Sequence, residues 1–223
     1  QRHGVPVAVR VAVGDHLILG GDNQDLALAK HLEDQLGGSL QPHQWAVLVR
    51  ICRRLKEEVL TDPCPPQLTF NLPGSGAKLI GGGVRVEVDR DQVRPFLLDG
   101  FFPFVGLDDK PRKLQSGFRE FGLPYAPDPA VTWYLAAFRT AHRHAGQEQD
   151  ADEQGRAGGA DPARPDIVLL NGGVFNSPLV RQRLLDVLQS WFRTGNPTTH
   201  VRHTPAIDEG TVWSPILLDN DRL

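Results

Sequence analysis

The sequence contains no methionine and only two cysteines among its 223 residues. Cys52 and Cys64 are too few, and too far apart, to form a zinc cluster. We expect two reduced thiols, as in a cytoplasmic protein. A Cys52–Cys64 disulfide, which requires an oxidising compartment, is the less favoured alternative. The missing methionine and the polar final segment "LLDNDRL" lead us to expect a fragment of a longer protein.

Long apolar runs are also missing. No stretch approaches the roughly 20 apolar residues that a membrane-spanning helix needs. The first residues, "QRHGVPVAVRVAVGD", lack the apolar segment and the small-residue cleavage site of a signal peptide. We therefore expect neither a transmembrane helix nor a membrane partner.

Positive charge is not in excess. Lysine and arginine number 24 against 27 acidic residues, which gives a net charge of -3. A nucleic-acid-binding surface requires a basic face, so nucleic acid is not an expected partner. Apolar residues make up 40% of the chain, which is enough to bury the core of one or two domains.

Two kinds of periodicity indicate an α/β fold. Apolar residues at three- and four-residue steps predict amphipathic helices over residues 42–61 and 178–193. Alternating apolar residues predict a strand over 5–13 and a hairpin-like pair from "QLTFNLP" and "KLIGGGVRVEVD". The short apolar stretch 166–170 is typical of a buried strand in a parallel sheet.

Aspartates indicate where three further helices begin. Asp22, Asp89 and Asp128 each precede a helical apolar stripe, and an Asp side chain can accept hydrogen bonds from free helical N–H groups. Pro129 suits the first helical position after Asp128. Pro95 stands inside the helix after Asp89, so we expect it to bend or shorten that helix.

The segment "DIVLLNGGVFNSPLV", residues 166–180, has the pattern of a ligand site at a strand-to-helix turn. Gly172 and Gly173 lack Cβ atoms and let the backbone approach a ligand closely. Ser177 as N-cap and Pro178 as first residue predict a helix whose free N–H groups suit an anion or a ring edge. The two glycines alone favour a plain structural turn by roughly two to one.

Three segments together resemble the second lobe of the actin-like ATPase superfamily, in particular the DnaK-type 70-kilodalton heat-shock chaperones. The strand with Gly172, Gly173 and Pro178 is similar to the family's adenosine motif. "GDHLILGGDNQDLALAKHLE", residues 14–33, resembles the segment that enters this lobe of the chaperone, and the resemblance depends on Gly20, Gly21, Asp22 and Asp25. "VRICRRLKEEVLT", residues 49–61, resembles the helix whose Glu and Lys line the adenosine pocket. The three motifs occur in the family's order and are more specific together than singly.

The resemblance implies which residues contact adenosine. Lys56 keeps the spacing of the pocket lysine, while Arg53 stands where the family has the pocket Glu. Gly172 and Gly173 would form the floor beneath the base.

The turn after these glycines differs from the family pattern. Val174, Phe175 and Asn176 stand where the family has Ser-Thr-Arg. Asn176 therefore replaces an Arg that stacks on adenine. Phe175 is either an aromatic surface for the base or a core residue.

The implied fold is an α/β, partial actin-like ATPase lobe of the ribonuclease H-like type. Its helices would pack on a mixed sheet beside a helical and hairpin subdomain. We expect the sheet to start within residues 1–22 and the subdomain to occupy 23–89. The rest of the lobe would occupy 90–223, with an insertion over about 105–165 that includes an acidic, glycine-rich surface loop at 146–165.

The implied ligand is ATP or ADP, held with Mg²⁺ in the intact protein. The sequence contains no "D-x-G-x-T" phosphate loop, and phosphoryl transfer needs such loops to position charge and metal. We therefore expect this chain not to hydrolyse ATP by itself. The expected partners are a first lobe, and a substrate-binding domain or co-chaperone.

Other functions also fit parts of the sequence. "LLNGGVFNSPLVRQRLLDVL" resembles the glycine motif of sugar kinases in the same superfamily, although "LGGDNQD" and "CRRLK" favour the chaperone branch. Arg53 and Asn176 favour a third possibility, a scaffold that binds partners without nucleotide. His142 and His144 are too few for a metal site, which needs three or four ligands.

Overall fold

A computed structural model describes residues 9–38, 40–74, 83–111, 128–145, 161–192 and 213–219. Its elements, in chain order, are α1 (Gly21–Gln35), α2 (Pro42–Val59), β1 (Gln67–Leu72), β2 (Val84–Asp89), α3 (Arg90–Phe101), α4 (Val131–Ala141), β3 (Ile167–Leu170), a short 3-10 helix (Gly173–Asn176), α5 (Pro178–Trp191) and β4 (Ile216–Asp219). The chain therefore combines helices with short strands. None of the helices in these ranges is both long and apolar enough to cross a membrane.

Helices α1 and α2 pack together at the centre of the larger core. Leu28 and Leu32 of α1 meet Leu48 and Cys52 of α2, and all four side chains are buried. Their four-residue spacing places each pair on one face of its helix. The helix predicted over 42–61 is confirmed, with Pro42 in its first turn and its end at Val59.

Strands β1 and β2 form the predicted antiparallel pair. Their register runs from Gln67 opposite Asp89 to Leu72 opposite Val84. The buried side chains on this pair, Leu68, Leu72, Val86 and Val88, belong to the same core as α1 and α2. Residues 75–82, which connect the strands, lie outside the described residues.

Helix α3 follows β2 directly and joins that core. The Asp89 carboxylate accepts a hydrogen bond from the Asp91 N–H at 2.7 Å, which confirms the predicted cap. The helix continues through Pro95 to Phe101, so of the two predicted effects, a bend or a shortening, the shortening is not observed. Val93, Leu97 and Phe101 are buried at four-residue spacing, and this burial offsets the hydrogen bond that proline cannot donate. The core thus extends past residue 89, the predicted domain boundary.

Two helices begin at different residues from those predicted. Helix α1 begins at Gly21 with Gly20 as N-cap, because the Asn23 side chain accepts from the Gly20 N–H at 2.7 Å and closes the first turn there. Asp22 therefore lies inside the helix. Helix α4 begins at Val131, not at Pro129. The Asp128 carboxylate instead accepts from the Ala130 N–H, which stabilises the turn before the helix.

Strands β3 and β4 form a second, parallel sheet that packs on α5. Leu170 contributes to a small core with Leu184 and Leu188 of the helix. Helix α5 begins as predicted, with Ser177 as its N-cap and Pro178 as its first residue. Within the described residues, the strands form two separate sheets, so the single mixed sheet of an actin-like lobe stays a prediction.

The strand predicted over 5–13 is absent from its described part, residues 9–13. Val9, Val11 and Val13 are each more than half exposed. An alternating sequence forms a strand only when a neighbouring strand takes its backbone hydrogen bonds, and no described strand lies beside it. Residues 5–8 lie outside the described residues, as does most of the predicted surface loop at 146–165.

Candidate functional site

The three segments that resemble family motifs meet around one cleft of about 820 Å³. Its walls come from the start of α1, the end of α2 and the turn before α5. The lining residues are Ile18 to Gln24, Lys56, Glu57, Leu60, Thr61, Gly173, Val174, Asn176 and Ser177. A volume of this size is within the range of small-molecule sites.

Ser177 joins two of these walls. Its hydroxyl oxygen accepts a hydrogen bond from the Val180 N–H at 3.2 Å, which caps α5. The same hydroxyl donates to the carbonyl oxygen of Leu60, directly after α2. One side chain thus begins a helix and fixes the glycine turn beside α2.

Lys56 crosses from α2 to the start of α1. Its ammonium donates a hydrogen bond to the carbonyl oxygen of Gly21 at 2.9 Å. The Nζ atom also lies 2.6 Å from Oδ1 of Asp25, whose side chain is 1% exposed. Burial of a charged side chain is costly without such a partner, so Asp25 stabilises Lys56 at the edge of the cleft.

Arg53 is not a lining residue of the cleft but lies one helical turn from Lys56. Its guanidinium donates to Asp25 Oδ2 at 3.0 Å and to Asp22 Oδ1 at 2.7 Å. The hydrogen bond to Asp25 raises the pKa of Arg53 above its usual value. Two cations and two carboxylates therefore balance here, and Arg53 leaves no free positive charge.

The residues of the glycine turn line two cavities, and Gly173 and Asn176 line both of them. Gly173, Val174 and Asn176 line the large cleft, and a methyl group of Val174 packs against Gly21. Gly172 lines a separate cavity of about 230 Å³, together with Asn176 and Arg181. Gly172 has a positive φ of 103°, a conformation that favours glycine.

Phe175 is a core residue. Its ring packs edge-on against Phe102, with centroids 6.1 Å apart. It contacts both hydrophobic cores and is not among the residues that line the cleft. Of the two interpretations left open by the sequence, the structure favours the core.

The structure therefore brings four of the six sequence-predicted residues to the cleft, namely Lys56, Gly173, Val174 and Asn176. Arg53 does not line the cleft but forms hydrogen bonds to Asp22 and Asp25 beside it. Gly172 lines the smaller cavity of about 230 Å³.

Two residues of the site were not predicted as site residues. Asp25 and Gln24 are both almost completely buried, at 1% and 2% exposure. Asp25 falls on the helical stripe of Leu28 and Leu32, and a carboxylate on an apolar stripe indicates a buried ion pair. That signal is visible in the sequence. Gln24 carries no comparable signal.

Metal ligands do not cluster in the described part of the chain. No group of three or more His, Cys, Asp or Glu side chains there is placed to hold a metal ion. His142 and His144, which both follow α4, belong to no such group. Cys52 and Cys64, which are both described, are free and buried, as expected.

Comparison with known proteins identifies no relative. No family model matches the chain, and neither does any curated protein or solved structure. The similarity to actin-like ATPases therefore depends on the three motifs and stays a prediction.

Proposed function

We propose that this chain is the second lobe of a nucleotide-binding domain in a DnaK-type chaperone, where it contacts the adenosine of ATP or ADP. One observation supports the proposal. Residues 14–33, 49–61 and 166–180 are far apart in sequence, yet parts of all three line or support a single cleft. In the family that these segments resemble, the corresponding segments surround the adenosine, so their meeting at one cleft supports the proposal.

The cleft suits the uncharged part of a nucleotide. Lys56 and Arg53 are neutralised by Asp22 and Asp25, so phosphate groups find no free cation among these residues. Gly173 leaves open space above the turn, because no described atom lies within 4 Å of where its Cβ would stand. A flat base or a ribose can approach the backbone there.

Phosphate and Mg²⁺ would be held by residues of the first lobe and by loops that this sequence does not contain. In the intact protein, closure of the two lobes on ATP would be transmitted to a substrate-binding domain or a co-chaperone. ATP hydrolysis thus belongs to the intact protein, which we place in the cytoplasm.

Calorimetric titration of the intact protein with ADP and ATP tests this function. We expect saturable binding of both nucleotides. Addition of an unfolded peptide should change the ATPase rate, while sugars should not be phosphorylated. The absence of nucleotide binding would contradict the proposal and favour a nucleotide-free scaffold. Sugar phosphorylation would favour a sugar kinase of the same superfamily.

A further inference from the structure

Asn171 is followed directly by Gly172, and this is the one Asn-Gly pair in the sequence. An asparagine before glycine is chemically reactive. The backbone nitrogen of the following residue can attack the side-chain amide, and glycine has no side chain to obstruct that attack. The pair lies in the turn after β3, where Asn171 belongs to neither a strand nor a helix.

Both residues of this pair are open to solvent. Asn171 and Gly172 are exposed, and no described atom lies within 4 Å of where a Cβ of Gly172 would stand. No described residue holds the Asn171 side-chain amide by a hydrogen bond. Water and hydroxide can therefore reach the amide and the backbone nitrogen beside it.

We propose that Asn171 is a site of spontaneous deamidation, which converts it to isoaspartate and aspartate in the folded protein. The backbone nitrogen of Gly172 attacks the Cγ carbon of Asn171 and forms a C–N bond. The side-chain nitrogen leaves as ammonia and takes the amide proton of Gly172 with it. Water then opens the resulting cyclic imide at either of its carbonyl carbons. The net reaction consumes water and releases ammonia without oxidation or reduction, and it depends neither on nucleotide nor on the proposed function.

Asn176 lies in the same turn and provides an internal comparison. It is also exposed, but the next residue is Ser177, whose Cβ hinders the approach of the backbone nitrogen to the amide. The Ser177 N–H is engaged by the carbonyl oxygen of Val174 at 3.5 Å, and the Ser177 hydroxyl caps α5. The same reaction should therefore be much slower at Asn176.

Isoaspartate at position 171 would change the geometry of the turn. Its backbone passes through the β-carbon, so an additional carbon separates Leu170, which is buried, from Gly172, which has a φ of 103°. The new carboxylate would also lie on the cavity that Arg181 and Asp219 line. These two side chains pair at 2.8 Å, and a second carboxylate beside them repels Asp219. Deamidation should therefore weaken the attachment of β3 to β4 and α5.

Incubation of the intact protein at neutral and at alkaline pH, followed by peptide mapping with mass spectrometry, measures the conversion. Asn171 should gain the mass difference between oxygen and NH several-fold faster than Asn176. The reaction should be faster at alkaline pH, because attack requires loss of the Gly172 amide proton. Methylation by an isoaspartyl methyltransferase identifies isoaspartate, and converted protein should unfold at a lower temperature than fresh protein.

Asn171→Gln is the blocking variant, because attack on its longer side chain would form a six-membered ring, which closes far more slowly. It should abolish both the conversion of this peptide and the fall in unfolding temperature on incubation. Asn176→Gln is the matched control and should leave both unchanged. Asn171→Asp carries the new charge without the longer backbone, so its unfolding temperature should lie between those of fresh and converted protein.

Incubation in urea gives the reference rate for the same peptide in the unfolded chain. The proposal is overturned if Asn171 stays an amide in the folded protein while it converts in urea, because the turn would then protect it. Equal rates at Asn171 and Asn176 in the folded protein would overturn it as well. An unchanged unfolding temperature after full conversion would show that the turn tolerates isoaspartate, and the structural consequence would then be wrong.

Discussion

The ammonium of Lys56 and the carbonyl oxygen of Gly21 are 2.9 Å apart and share a hydrogen bond. This contact joins the end of α2 to the first residue of α1 across 35 positions in sequence. It is possible because Gly21 has no side chain. Both residues line the cleft.

Gly21→Ala should disturb this contact. A Cβ at position 21 would lie 3.0 Å from Lys56 Nζ and 3.3 Å from a methyl carbon of Val174. Crowding of this kind costs about 1–3 kcal/mol, while alanine in a helix regains up to about 1 kcal/mol. We expect a net loss of about 1 kcal/mol in the free energy of unfolding, measured with urea, and weaker adenosine binding.

Gly20→Ala is the control for that substitution. No described atom lies within 4 Å of where a Cβ at position 20 would stand, and the φ of -175° is open to any residue. Its effect should stay within about 0.5 kcal/mol. Equal effects at positions 20 and 21 would contradict the close approach of Lys56.

Asp25→Asn should destabilise the protein strongly. The substitution keeps the shape of the side chain but leaves Lys56 without its counter-ion in a buried position. Removal of one partner of a buried ion pair costs about 3–5 kcal/mol. Urea unfolding measures the loss.

Asp22→Asn is the matched control, because the Asp22 side chain is 77% exposed and Arg53 keeps its second partner, Asp25. Exposed ion pairs contribute at most about 1 kcal/mol. The interpretation of Asp25 as the anchor of the cluster would be wrong if both variants lost the same small amount.

Gly172→Ala should also be costly, for a backbone reason. Gly172 has a φ of 103°, which side chains rarely adopt, and such strain costs about 1–3 kcal/mol. Gly173→Ala should change the free energy of unfolding by less than about 0.5 kcal/mol, because Gly173 has no positive φ. A similar loss in both variants, by urea unfolding, would show that the strain is not specific to Gly172.

The sequence predicted those parts of the fold that depend on local pattern. The helix over 42–61, the hairpin and the Ser177 cap follow from periodicity and capping chemistry, and the structure confirms them. The start of α1 was wrong because the Asn23 side chain closes the turn at Gly20, which periodicity does not reveal. The strand over 9–13 was wrong because a strand also requires a neighbour.

The site was less predictable than the fold. Arg53 was expected to place a cation where the family has an acceptor, but it pairs with carboxylates 28 and 31 positions away. Such pairing depends on how α1 packs on α2, which is a tertiary property. The position of Gln24, buried beside the cleft, could not be predicted either. An isolated glutamine in a sequence indicates no particular role.

The buried Cys52 thiol should make the free energy of unfolding depend on pH. Burial, with a smaller contribution from the negative charge of Asp25, raises the pKa of Cys52 from 9.0 to about 12. A thiol whose pKa is raised by folding favours the folded state below pH 9, where it is protonated in both states. That stability is lost as the pH rises from about 9 to 12, at about 1.4 kcal/mol per pH unit.

Urea unfolding of wild type and Cys52→Ala at pH 8, 9 and 10 isolates this effect, because all other titrating groups are common to both proteins. At pH 8 wild type should be more stable, since alanine leaves a cavity where Cys52 is fully buried. The difference in free energy of unfolding should then narrow by about 1 kcal/mol between pH 9 and 10. A difference independent of pH would mean that the thiolate is tolerated in the folded core. Slow labelling of Cys52 by iodoacetamide at pH 8, with rapid labelling in urea, would confirm its burial independently, because only the thiolate reacts.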